Sequence, residues 1–163
     1  MKKCITELMA KTDEVTGLTF VPIRDLWGMH PVFRKISLDA AGCLMTNGRL
    51  ILLDNDLLFE KGAPHQKKLY LILYGWAVYT CGETLNKVRV GPGSFVGTEW
   101  VYEEGAVRAN ACEVYGEAAV LEIDYKSFNE TRQHLELSNL TKDVQTLESQ
   151  IKRAYLISLK LLS

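Results

Sequence analysis

The chain has 163 residues, 47% of them hydrophobic and 24% charged, the proportions of a single globular domain. A formal net charge of −1 excludes a global electrostatic pull toward nucleic acid or an anionic membrane, so any anion must be met by a local site. Cys4, Cys43, Cys81 and Cys112 form no C-x-x-C pair, which speaks against a zinc or thioredoxin-type site and for reduced thiols in a cytoplasmic protein.

Residues 1–28 read as an N-terminal arm. Its leading lysines have no apolar stretch behind them, as a secretion signal would, and Ile5, Leu8 and Met9 have the spacing of one short amphipathic helix. From Met29 onward Val32, Phe33, Ile36, Ala40 and Leu44 recur near helical spacing, until Asn47-Gly48 supplies a stop. Short runs rich in Val, Ile, Leu and Tyr follow: RLILL, LLFEKG, LYLILYG, WAVYTCG, ETLNKVRV, SFVG, RANACEVYG and EAAVLEI. Gly, Asn, Asp or Pro separates most of them, the signature of an antiparallel barrel or jelly roll from Arg49 to Ile123. LYLILYGWAVYT reads as an apolar strand that stops at Gly75 and a second that restarts at Trp76.

After Ile123 the period changes. DYKSFNETRQ predicts a short helix, and Leu137, Leu140, Val144, Leu147, Ile151, Ala154, Ser158 and Leu161 then recur at steps of three and four, the seam of one long helix. That seam can pack on the roll or meet a partner. Leu156, Ile157, Leu159 and Leu162 add a second apolar face near the end, more than a single seam needs. No segment approaches the ~18 consecutive apolar residues of a membrane span. The expected fold class is α+β: an antiparallel β-roll, jelly-roll-like, flanked by an N-terminal helix and by a C-terminal short helix plus long helix. Its expected divisions are an arm at 1–28, a roll at 29–133 and a long helix at 134–163.

Residues 91–111, GPGSFVGTEWVYEEGAVRANA, combine glycines, an acidic turn and one arginine among alanines. Glycines permit positive φ and leave backbone N–H groups clear to face an anion, and an arginine can grip a phosphate in a planar, bidentate way. Together with FEKG at 59–62 and LYLILYGWAVY at 69–79, in this order between helices, the stretch resembles the cyclic nucleotide-binding domain family. That family is typified by the catabolite activator protein and the regulatory subunits of protein kinase A. The resemblance implies that GPGSFVG opens a phosphate-binding cassette and that Gly97, Thr98, Glu99, Arg108, Ala109 and Asn110 are its ligand-binding set, with cyclic AMP or cyclic GMP as the ligand.

The cassette departs from the family pattern. The family places a glutamate for the ribose 2′-hydroxyl just after the loop glycine, where this chain has Thr98, with Glu99 one residue out of register. A hydroxyl residue often follows the family's arginine, where this chain has Ala109. Replacing a carboxylate by a neutral hydroxyl weakens a buried contact by roughly 1–2 kcal/mol. Arg108 therefore has two readings: a phosphate ligand, or a structural arginine satisfied by Glu99, Glu103 or Glu104.

These readings predict a non-catalytic module of cyclic nucleotide-binding fold, regulatory or structural in role, with weak or no nucleotide binding. The alternative is a genuine sensor that couples cyclic AMP or cyclic GMP to movement of the C-terminal helix. The expected partner is a protein chain or a second copy, met through an interaction helix carrying Leu140, Val144, Leu147, Ile151 and Leu161, with no nucleic acid and no membrane span. A cupin-like metal enzyme is disfavoured because His30, His65 and His134 form no H-x-H pair, and His65 falls in a polar turn where it reads as solvated. No catalytic residue and no metal ligand is expected, nor any cofactor beyond a nucleotide ligand. A helix-turn-helix regulator is disfavoured because the sequence stops at Ser163. The expected localisation is cytoplasmic, with cytoskeletal or ciliary association implied only by the settings in which stand-alone domains of the family are found.

Overall fold

The computed structural model describes residues 11–12, 19–20 and 32–160. In the arm, β1 (Lys11–Thr12) pairs antiparallel with β2 (Thr19–Phe20). The short helix expected around Ile5, Leu8 and Met9 lies outside the described residues, as do Cys4, His30 and Leu161.

The leading helix is shorter than its apolar spacing suggests. A 3₁₀ turn at Phe33–Lys35 comes first, and α1 (Leu38–Asn47) begins only after Ser37. Ser37 is the reason: its Oγ accepts the Ala40 N–H at 3.1 Å, fixing the first turn there. The same residue donates from Oγ to Asp143 Oδ2 at 2.7 Å and from its backbone N–H to Oδ1 at 3.2 Å. Val32 and Ile36, although outside the helix, are still buried.

The roll is built from β3 (Arg49–Asp54), β4 (Leu57–Phe59), β5 (Lys68–Cys81), β6 (Lys87–Val90), β7 (Phe95–Val96) and β8 (Asn110–Asp124). All pairings among them are antiparallel: β3-β8-β5-β6 form the main path, β4 adds to β8 and β7 adds to β5. Two expected strand breaks are absent. β5 passes through Gly75 and β8 passes through Gly116 without stopping, because each glycine takes a positive φ, 88° and 70°, and the strand bends there rather than ending. At Gly75 the fit is tight as well, since a Cβ would lie 2.6 Å from the Glu117 carbonyl oxygen.

The core has two parts. Inside the roll Phe59, Tyr70, Tyr79, Cys112, Val114 and Val120 pack on one another. On its outer side Leu44, Leu71, Leu121 and Leu135 meet Val144, Leu147 and Ile151. The last three belong to α3 (Thr141–Lys160), which follows α2 (Tyr125–Leu137), and α2 is itself capped by Asp124 Oδ1 accepting the Ser127 N–H at 2.7 Å. The division expected between 133 and 134 thus falls inside α2.

The helical seam is consequently covered by the chain's own roll. Leu140 packs against the outer core and Val144, Leu147 and Ile151 are buried in it, so these four residues face inward. Leu137, counted on the seam by spacing, ends α2 and is 86% exposed. Of the second apolar face, Leu156 and Ile157 are exposed, and Leu162 lies outside the described residues. No helix among the described residues is long and apolar enough to cross a membrane.

Candidate functional site

The 91–111 stretch folds into a compact loop between β6 and β8. Gly97 takes φ +73°, and a Cβ there would lie 2.5 Å from Arg108 Nη1, so both backbone conformation and space require glycine. Thr98 follows, buried, and a 3₁₀ turn covers Glu99–Val101. On the approach to β8 the burial alternates: Arg108 and Asn110 are buried and Ala109 between them is exposed. Of the six residues expected at the site, the fold packs Gly97, Thr98, Glu99, Arg108 and Asn110 into the loop, and Ala109, though exposed, borders a small hollow together with Glu99 and Arg108.

Arg108 is 5% exposed and is held by backbone oxygens. Its Nη1 donates to the Gly97 carbonyl at 2.8 Å, and its Nη2 donates to the carbonyls of Lys68 at 2.6 Å and His65 at 3.3 Å. The guanidinium lies 4.4 Å from the Phe59 ring centroid and 5.8 Å from that of Tyr70, a cation–π setting that offsets part of its desolvation. Burial pulls its pKa below the usual arginine value, while the Tyr70 hydroxyl and the Glu99 carboxylate act in the opposite sense. A guanidinium has five N–H donors, and a two-toothed grip on phosphate uses Nη2 together with either Nη1 or Nε. Here both Nη2 hydrogens are already engaged, and Nε is buried with no hydrogen-bond partner among the described residues.

The surroundings lock this arrangement. Trp100 Nε1 donates to the same Lys68 carbonyl at 2.8 Å, and its indole stacks on His65 at 6.0 Å. His65 is pinned rather than solvated: Nδ1 accepts the Lys67 N–H at 2.8 Å and Nε2 lies 2.6 Å from the Gly105 carbonyl. With Nδ1 accepting, Nε2 carries the proton and donates. Asn110 donates from Nδ2 to Tyr79 Oη and to Glu99 Oε1, both at 3.2 Å, and accepts from the Gly82 N–H at 3.2 Å. Farther out, Tyr102 stacks on Tyr155 of α3 at 4.7 Å, and Tyr155 Oη donates to Glu103 Oε1 at 2.7 Å. Sequence reasoning missed Phe59, Tyr70, Trp100 and the Tyr102–Tyr155 clasp. Only the aromatic run of β5 signalled any of them.

Two hollows are lined by residues of the expected site. Arg108 lines one of about 80 Å³ together with His65, Glu99, Glu103 and Glu104. The other, about 260 Å³, lies between β6, the 92–99 segment and α3; Gly97, Thr98 and Glu99 line it and Arg108 does not.

No protein-family model matches the sequence, and no curated protein matches it. Solved structures do. A cyclic nucleotide-named protein from Geobacter metallireducens superposes with a TM-score of 0.61 at 15% identity, over 86% of this chain and 99% of that one. The c-di-GMP-responsive global regulator CLP of Xanthomonas campestris gives 0.60 at 15% identity, over 76% of this chain and 62% of its own. The Thermus thermophilus catabolite activator protein gives 0.58 at 17% identity, over 81% and 62% respectively. This chain thus spans less than two thirds of those two regulators. At such identities the likeness establishes the fold: the chain has the cyclic nucleotide-binding fold, an α+β roll with flanking helices. These matched proteins are bacterial and give a ciliary setting no support.

Proposed function

We propose that this chain is a non-catalytic regulatory or structural module, in which the cyclic nucleotide-binding fold serves protein interaction and cyclic nucleotides bind weakly or not at all. One observation carries the reading: Arg108, the residue a phosphate would need, holds the Gly97, Lys68 and His65 carbonyls instead. To turn toward a phosphate it would have to release at least one of them. The three carboxylates around its small hollow, Glu99, Glu103 and Glu104, further oppose an anion. Against catalysis stand the two engaged nitrogens of His65 and the buried Cys112, whose thiol pKa burial pushes up to about 12.

The partner surface in this reading is the exposed end of α3 at Leu156 and Ile157, met by a second copy or another protein chain. Calorimetric titration tests the nucleotide half: neither cyclic AMP nor cyclic GMP should bind tighter than roughly micromolar, in the wild type or in Thr98→Glu. Nanomolar binding that disappears in Arg108→Met would refute it. For the interaction half, Leu156→Lys should shift the light-scattering mass or abolish partner capture; an unchanged mass and partner set would remove α3 from the proposal.

The sensor reading keeps one observation in its favour. The 260 Å³ cavity touches the cassette loop and α3 together, through Gly97 to Glu99 on one side and Gln150, Arg153, Ala154 and Ile157 on the other. A ligand there would act on both elements.

A further inference from the structure

We propose that the outer face of the roll around Trp76 and Tyr115 is a contact surface for a second copy of this chain, packed face to face about a twofold axis. The inference goes beyond the module reading and uses neither the 91–111 loop nor α3.

The centre of this face is aromatic. Trp76 of β5 stands directly opposite Tyr115 of β8. Their neighbours Ala77 and Val114 are buried inside the roll, so strand alternation turns Trp76 and Tyr115 outward, where they are 38% and 51% exposed. The Arg89 guanidinium of β6 stacks on the indole, 4.1 Å from the ring centroid, and Leu57 of β4, also exposed, lies opposite Glu113 on the far side of β8. Trp, Tyr and Arg are the side chains that dominate binding at protein interfaces.

Charge is divided about this centre. Arg89 and Asp54 are both exposed, and the strand register sets them on a diagonal. Arg89 is opposite Val78, two residues to one side of Trp76, and Asp54 is opposite Glu117, two residues to the other side of Tyr115. Asp54 shares the outward side, since Ile51 and Leu53 pack on the interior cluster and alternation directs Asp54 away from it. Exposed Lys87 on β6 and exposed Asp56 in the turn after β3 enlarge the basic and acidic corners. Glu113, nearer the centre, accepts from Tyr115 Oη at 3.4 Å. Neither Arg89 nor Asp54 is in an ion pair among the described residues.

This division selects the occupant. β6 and β3 stand three strand spacings apart, about 14 Å, with the aromatic pair at the midpoint of the diagonal. A twofold axis through that midpoint, lying in the face and perpendicular to the diagonal, lays Arg89 of each copy on Asp54 of the other. The acidic corner opposes a nucleic acid, and Arg89 already covers the indole that a sugar ring would stack on. β6 itself is a poor docking edge, four residues long and carrying Lys87 and Arg89, so the contact is between faces rather than between strands. A surface with opposite charges at opposite corners fits a surface divided in the same way, and this chain supplies one.

The test is sedimentation equilibrium of the full chain from about 5 to about 500 μM, with circular dichroism to verify that every variant is folded. The wild type should dimerise with a dissociation constant of roughly 10–100 μM, as suits a small interface. Tyr115→Lys, at an exposed position, should stay monomeric throughout, whereas Leu156→Lys on α3 should leave the constant unchanged. Arg89→Glu and Asp54→Lys should each weaken self-association at least about tenfold, because each sets like charges together twice in the dimer. Mixed in equal amounts, those two variants should regain the wild-type affinity, since the two new charges then meet each other and the remaining Arg89 meets the remaining Asp54. A monomer at about 500 μM, a dimer that survives Tyr115→Lys, or charge variants that fail to recover on mixing would each overturn the assignment. A dimer lost in Leu156→Lys but kept in Tyr115→Lys would move the contact to α3 and overturn it equally.

Discussion

Replacing Arg108 by alanine distinguishes a structural arginine from one awaiting an anion. The cost can be worked bond by bond. The Lys68 carbonyl keeps the Trp100 indole N–H, and the His65 carbonyl keeps the Lys68 N–H at 3.0 Å. The Gly97 carbonyl is the acceptor most exposed to the loss, and an orphaned buried acceptor costs about 1–3 kcal/mol. Losing the stem and the contact with Phe59 adds on the order of 1–2 kcal/mol, while removing a desolvated charge returns part of the total. The net destabilisation should be about 2–4 kcal/mol, a fall of roughly 5–15 °C in melting temperature for a chain of this size. Urea denaturation of wild type, Arg108→Ala and Arg108→Met, fitted for midpoint and slope, measures it. A midpoint unchanged within about 0.5 kcal/mol, or a gain in stability, would show that the carbonyl contacts do not hold the loop and would refute the reasoning.

Gly75→Ala should destabilise by about 3 kcal/mol or more by chemical denaturation, because φ is +88° there and a Cβ would press on the backbone of Glu117 and Ala118. Leu147→Ala should cost about 2–5 kcal/mol, since this side chain is buried in the outer core rather than presented to a partner. Asp124→Ala removes the cap of α2 and should cost about 1 kcal/mol near neutral pH. The Ser127 N–H holds the Asp124 carboxyl below its usual pKa, so the wild-type advantage should be complete above about pH 4 and vanish as pH falls through the lowered folded value. An advantage that grew on acidification would contradict the capping role.

The sequence carried the order of elements well because each rests on local periodicity. Val144, Leu147 and Ile151 mark α3, and the Val, Ile and Tyr runs mark the strands. It failed where one residue type has two uses. Gly75 and Gly116 look like strand ends, but a glycine at positive φ also lets a strand bend and continue, and only the long pairing of β5 with β8 decides between them. Spacing showed that the α3 seam would be buried but not by what. At the site, clustering of Gly97, Thr98, Glu99, Arg108 and Asn110 was legible from the motif. The partners of Arg108 were not, because Gly97, Lys68 and His65 contribute main-chain oxygens, which every residue has and no side-chain pattern reveals.

The pairing of β5 with β8 also orders events in time. At one end Cys81 meets Asn110 across a connection of about 30 residues, and at the other Lys68 meets Asp124 across nearly twice that length. Zipping from the Cys81 end makes every later pair a local addition, so that end is the natural place for nucleation. The carbonyls of His65 and Lys68 belong to the far end and reach Arg108 only when zipping is nearly complete. Arg108 therefore fastens a roll that has already formed, and its loss should accelerate unfolding while leaving the folding rate nearly untouched.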